Sequence, residues 1–111
     1  MARSKTETAA YSLISDYVCL YKQRYGIPPI VNKYKEKWAM TSLVEDFGAD
    51  EVLKTIQYYF HLNKQGHPLN WLYNNYSSVH SSRLEAERDA ILREQQRRKT
   101  QELRAEYLNG I

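Results

Sequence analysis

The stretch TETAAYSLISDYVCLYKQRYG, Thr6 to Gly26, sets the fold class. Ala10, Leu13, Ile14, Tyr17, Val18, Tyr21 and Tyr25 recur at the i, i+3, i+4, i+7 spacing that puts side chains on one face of a helix. Thr6 or Ser4 is placed to cap the start. Gly26 is placed to stop it. Ile27-Pro28-Pro29-Ile30 then breaks the pattern, because proline lacks the amide donor and clashes with the preceding turn. A first helix from Thr6 to about Tyr25 therefore ends in a rigid connector.

The same period continues outward. Asn32 is a good N-cap for a second helix, with Tyr34, Trp38, Leu43, Val44 and Phe47 as its expected inner face and Gly48 as its end. Lys33, Lys35 and Lys37 alternate with Tyr34 and Glu36, which also suits a strand, but the helical stripe is longer. A third helix is expected from Asp50 to Asn63, its opening acids matched to the helix dipole. Val52, Leu53, Ile56, Tyr59 and Phe60 form its buried stripe. Lys64 to Pro68 reads as a turn. A fourth helix runs from Leu69 to about Val79, with Leu69, Leu72, Tyr73 and Tyr76 on one face and Trp71 off it. The fold class is all-α: a small four-helix aromatic-rich core followed by a long charged C-terminal helix.

Thirteen of the fourteen aromatic residues lie between Tyr11 and Tyr76, and only Tyr107 follows. This divides the chain into a disordered N-terminus at 1–5, a helical globular domain at 6–80 and a projecting charged helix at 81–111. Ser77, Ser78, Ser81 and Ser82 read as a hinge. Ser82-Arg83-Leu84-Glu85 fits a capping box that opens the fifth helix, Arg83 to about Leu108. One unbroken helix from Leu69 to Leu108 is the competing reading.

Length and composition narrow the function. A chain of 111 residues holds one small domain. A single cysteine excludes an intramolecular disulfide and fits a reducing, cytoplasmic setting. Between Val18 and Leu20 it reads as a buried small apolar residue. No run of 18 apolar residues exists, so no membrane partner is expected. His61, His67 and His80 lack metal-site spacing. No glycine-rich phosphate loop or nucleophile–base pattern appears, so neither a catalytic site nor a cofactor is expected.

Charge patterning carries the functional signal. Residues 77–111 hold seven basic and six acidic side chains, nearly balanced in sum. At about 100° per residue, however, Arg93, Arg97, Thr100 and Arg104 fall within about 60° of one another, over Ala86 and Ala90. This stripe extends roughly 16 Å and suits a few consecutive phosphates, because arginine presents a forked donor. Arg98 and Lys99 are expected to assist. A solvated surface and an acidic protein partner are the other readings. A sustained heptad is missing, since Arg93 to Glu102 contains no apolar residue. Lys33, Lys35 and Lys37 form a second basic neighbourhood beside Tyr34 and Trp38. Basic residues among aromatics hold single-stranded nucleic acid, although the same two rings also fit a core stripe. Trp71, Tyr73 and Tyr76 form a candidate partner-binding ridge, with core closure as the alternative.

Tyr21-Lys22-Gln23-Arg24-Tyr25-Gly26-Ile27-Pro28-Pro29, then Lys37-Trp38, Tyr58-Tyr59-Phe60 and His67-Pro68-Leu69-Asn70-Trp71-Leu72, resemble the small helical replication accessory proteins of bacteriophages. Replisome organisers and helicase loaders are the types in view. The resemblance covers roughly Tyr21 to Tyr76. It implies that the helical domain and its basic extension engage single-stranded DNA and a helicase. The combined expectation is a non-enzymatic nucleic-acid-binding adaptor in phage DNA replication or recombination. The alternative is a small protein that docks its C-terminal helix on a larger protein, such as a replication enzyme, and regulates or assembles it.

Overall fold

The computed structural model describes Lys5 to Gly110, and these residues form five α-helices and no strand. They are α1 (Lys5–Tyr25), α2 (Lys33–Phe47), α3 (Ala49–His61), α4 (Leu69–Asn74) and α5 (Tyr76–Asn109). The chain divides into two compact units, one through Val79 and one from His80 onward. The expected disordered N-terminus and the Ser4 cap fall outside the described residues, except that Lys5 already opens α1. Thr6 lies within α1 and not at its cap.

In the first unit, α1 packs against α2 and α3, and α2 also meets α3. Ala10, Leu13, Ile14 and Tyr17 are the buried face of α1, as their spacing predicts. Val52, Thr55, Ile56, Tyr59 and Phe60 are buried on α3, Leu69 and Leu72 on α4, and Tyr76 and Val79 in the first turn of α5. Cys19 is exposed, two residues past Tyr17 and so on the outer side of α1. The expectation that it is buried is corrected.

Local chemistry sets the helix ends. The Asn32 side chain accepts from the Tyr34 and Lys35 amides, the N-cap its position predicts. Gly48 stands alone between α2 and α3 at φ +88°, and its amide donates to Val44 O. Only a residue without Cβ holds that backbone cheaply.

The fourth and fifth helices depart from expectation. The break falls at Asn75, not at the serines. The Asn75 side chain and amide both donate to Trp71 O, which closes α4. Its own carbonyl accepts from the Val79 amide, which opens α5. Asparagine competes with helix hydrogen bonds in this way. Ser77, Ser78, Ser81 and Ser82 are interior residues of α5, so neither the hinge nor the capping box forms. Serine inside a helix costs only a few tenths of a kcal/mol relative to alanine, too little to stop it.

A buried histidine organises the turn between α3 and α4. His67 has φ +41°, directly after Gly66 at φ +74°, and it is fully buried. Its Nε2 lies 2.8 Å from Leu62 O, so Nε2 carries the proton and donates to that carbonyl. Its Nδ1 is then the acceptor for the Tyr25 hydroxyl at 2.5 Å. The Tyr17 hydroxyl donates to His67 O and the Tyr59 hydroxyl to Pro68 O. Burial raises both phenol pKa values, which keeps these donors protonated. Phe60 stacks on the imidazole at 4.9 Å and Tyr59 meets it edge-on at 5.0 Å.

From Leu84 to Gly110, the residues of the second unit are all exposed. Intrahelical pairs join Arg83 to Glu87 at 2.7 Å and Glu94 to Arg98 at 3.5 Å. Each such pair adds roughly 0.2–0.5 kcal/mol to a helix.

Truncating a filled core position should be costly. Ile56→Ala is expected to lower unfolding free energy by about 2–5 kcal/mol, while Ile91→Ala on exposed α5 stays within about 0.5 kcal/mol. Urea unfolding read by circular dichroism checks both. His67 gives a pH prediction. Burial, with the nearby Arg24 charge, lowers its pKa below the ordinary value. The unfolded chain therefore binds more protons, and the stabilisation is complete above roughly pH 6.5 and lost progressively as pH falls below it. The urea midpoint should drop between about pH 7.5 and about pH 5. That drop should shrink in His67→Gln, which has no ring to titrate.

Candidate functional site

The face of α2 turned away from the core is the least expected surface. Met40 is its only buried residue among those described, with Glu36, Leu43, Val44 and Phe47 half-buried beside it. Tyr34 is 75% exposed and Trp38 66%. Grouping these two rings with Leu43 and Phe47 as one inner stripe is therefore corrected. At 100° per residue, Tyr34 and Trp38 lie about 180° from Leu43 and Phe47. The helix can bury only one of the two sets, and the second set includes the larger number of apolar positions.

Three lysines surround the exposed rings. The Lys37 ammonium lies 4.3 Å from the centre of the Trp38 ring, a cation–π contact. Lys33 and Lys35 are exposed. This basic neighbourhood thus combines cations with accessible aromatic faces. Ile30, in the connector just before α2, is also fully exposed.

The cationic stripe on α5 is a second candidate surface. Arg93, Arg97, Arg98, Lys99 and Arg104 are all exposed. Glu94 reaches Arg97 at 3.6 Å and Arg98 at 3.5 Å. Such solvated pairs are worth little, and a phosphate can displace them. Among the described residues, no ion pair engages Arg93, Lys99 or Arg104. Asp89 and Arg93, four apart on α5, are not paired either.

The Trp71, Tyr73 and Tyr76 ridge is largely absorbed by packing. Trp71 lies flat on Tyr59, with ring centres 5.7 Å apart and planes 10° from parallel, and the Lys64 ammonium sits 4.5 Å from its ring centre. Tyr73 is half-buried, and burial with the neighbouring Glu36 carboxylate raises its phenol pKa. Tyr76 is 3% exposed, meets Phe47 at 4.6 Å and donates to Thr55 Oγ1 at 3.3 Å. Its ring faces the core and offers a partner nothing.

Among the described residues, no three His, Cys, Asp or Glu side chains gather as a metal site, and no helix is long and apolar enough to cross a membrane. Compared with family models, curated proteins and solved structures, the chain matches none.

The two tryptophans should respond oppositely to truncation. Trp38→Ala is expected to leave the thermal midpoint nearly unchanged, within about 0.5 kcal/mol. Trp71→Ala should destabilise by about 1–3 kcal/mol through the lost stack on Tyr59. Thermal melts of the two variants give the comparison directly.

Proposed function

We propose that this protein is a non-enzymatic nucleic-acid-binding adaptor that acts on single-stranded DNA in the cytoplasm. The observation that carries the reading is the α5 stripe. Arg93, Arg97 and Arg104 share one exposed helix face, and Arg98 and Lys99, about 130° around the helix from its centre, add exposed cations nearby in sequence. A cationic stripe of this kind recruits phosphates and releases their counterions. The α2 lysines, Lys33, Lys35 and Lys37, supply a second contact of the same sign. Because the whole chain is nearly neutral, binding rests on these local clusters and not on a long-range field. The resemblance of residues 21–76 to phage replication accessory proteins supports a setting in DNA replication or recombination.

A second reading draws on a different observation. Ile91, Leu92, Leu103 and Leu108 are each more than half exposed on α5. Apolar side chains left on a helix suit docking against a larger protein, such as a replication enzyme, which this chain would then regulate or assemble.

Fluorescence anisotropy with a labelled single-stranded oligonucleotide at about 50 mM and about 200 mM salt tests the first reading. Affinity should fall steeply with salt. Replacing Arg93, Arg97 and Arg104 together by alanine should weaken binding and reduce the log–log salt slope by about 2, from roughly 0.7 per phosphate contact. Absence of binding at the lower salt would sink this reading and leave the docking one.

A further inference from the structure

We propose that the outward face of α2 is a site for one unpaired nucleobase, held between Tyr34 and Trp38 with lysines at the adjoining phosphates. The proposal rests on the nucleic-acid reading and gives it a second, chemically different contact.

Trp71, Phe47 and Phe60 are buried or half-buried, whereas Trp38 stays open on a helix that had an apolar face to bury. Leaving a tryptophan and a tyrosine in water forgoes the burial energy that most such rings contribute. Both lie on the side opposite the core, so the arrangement follows from helix geometry and not from a loose end.

Residues four apart on a helix are separated by about 6 Å along its axis and by about 40° around it. A base stacked between two rings needs roughly twice the 3.4 Å step of a stacked strand, or about 7 Å. The backbone spacing of Tyr34 and Trp38 is therefore close to the gap for one inserted base, not a run of bases.

On the helix wheel, Lys37 and Lys35 flank the two rings, each about 80° from their midline. Lys33 follows beyond Lys37. Phosphates on each side of an inserted base would meet these ammonium groups. Lys37 already sits over the Trp38 ring, where it shields one π face until a phosphate draws it off. Glu45 returns to the same face about 10 Å beyond Trp38, which limits the site to the first two turns. An acidic peptide would satisfy the lysines but leave the rings unused. Paired bases inside a duplex present no free π face, so the geometry favours an unpaired strand. The contacts involve ring faces and phosphates, so the sugar is not read and DNA and RNA should serve alike.

The test uses the full chain with oligo-dT, oligo-rU and a duplex, each of about 12 nucleotides, and with poly-glutamate as the acidic peptide. Tryptophan emission and anisotropy are followed together. Oligo-dT and oligo-rU are expected to quench emission and to bind within a few-fold of each other, with duplex and poly-glutamate causing no quench. Trp38→Ala and Tyr34→Ala should each weaken single-strand binding about 5- to 150-fold. Trp38→Phe, which keeps a ring, should retain most of the affinity. Circular dichroism confirms that the variants are folded. Oligo-dT binding that is unchanged in Trp38→Ala and Tyr34→Ala overturns the base site while the phosphate contacts of α5 stand. Equal quenching by duplex, or quenching by poly-glutamate, also overturns it. Failure of every oligonucleotide to bind at low salt overturns both this inference and the reading beneath it.

Discussion

The first unit depends on one constraint: a buried imidazole in a turn whose backbone is left-handed at two consecutive residues. Gly66 tolerates that conformation, and His67 is among the few other side-chain types found there. With the backbone so turned, the imidazole points inward between α1 and α3. There it donates to Leu62 O and accepts from Tyr25, while Tyr17 and Tyr59 tie down the carbonyls of His67 and Pro68. Each of these groups is costly to bury alone and inexpensive to bury as a set. Three tyrosines thus act as more than apolar filling. Their hydroxyls satisfy a turn that would otherwise carry unpaired polar groups into the core. This demand accounts for three of the nine tyrosines between Tyr11 and Tyr76.

Much of the fold was legible in the sequence because its signals are local. The stripe from Ala10 to Tyr17, the Asn32 cap and the Gly48 stop all act within a turn or two, and each appears where its chemistry places it. Three features were not legible from residue type alone. The Asn75 break was hidden because asparagine and serine both favour helix ends, and only the hydrogen bonds to Trp71 O and Val79 N decide between them. The burial of His67 is not legible, because a histidine between Gly66 and Pro68 reads only as part of a turn. The outer face of α2 is hidden in the linear order of its apolar residues, which sort into two sets only about the helix axis. A wheel drawn for Tyr34 and Trp38 against Leu43 and Phe47 separates the two sets.

The candidate surfaces differ in how far residue type reveals them. The α5 stripe could be drawn from sequence, because helix geometry is the only input and nothing packs there to perturb it. The aromatic ridge at Trp71, Tyr73 and Tyr76 required the structure, because core packing against Tyr59, Thr55 and Phe47 decides whether those rings are available. The same packing decision left Tyr34 and Trp38 outside. Burial thus redistributed the aromatic residues between scaffold and surface in a way that composition does not record.

Gly48 has a consequence for how this sequence can evolve. It is the single residue between α2 and α3, and it fixes the rotation of α2 at its C-terminal end. Inserting or deleting one residue between Trp38 and Phe47 would turn the first two turns of the helix by about 100° relative to that anchor. Tyr34 and Trp38 would swing out of line with their present outlook, and lysines would be carried toward the core. Point substitutions on the outer face alter one contact at a time, whereas a change of length moves the whole face. Lineages that keep this surface should therefore drift at exposed positions such as Ser42 and Asp46 while holding the segment's length constant.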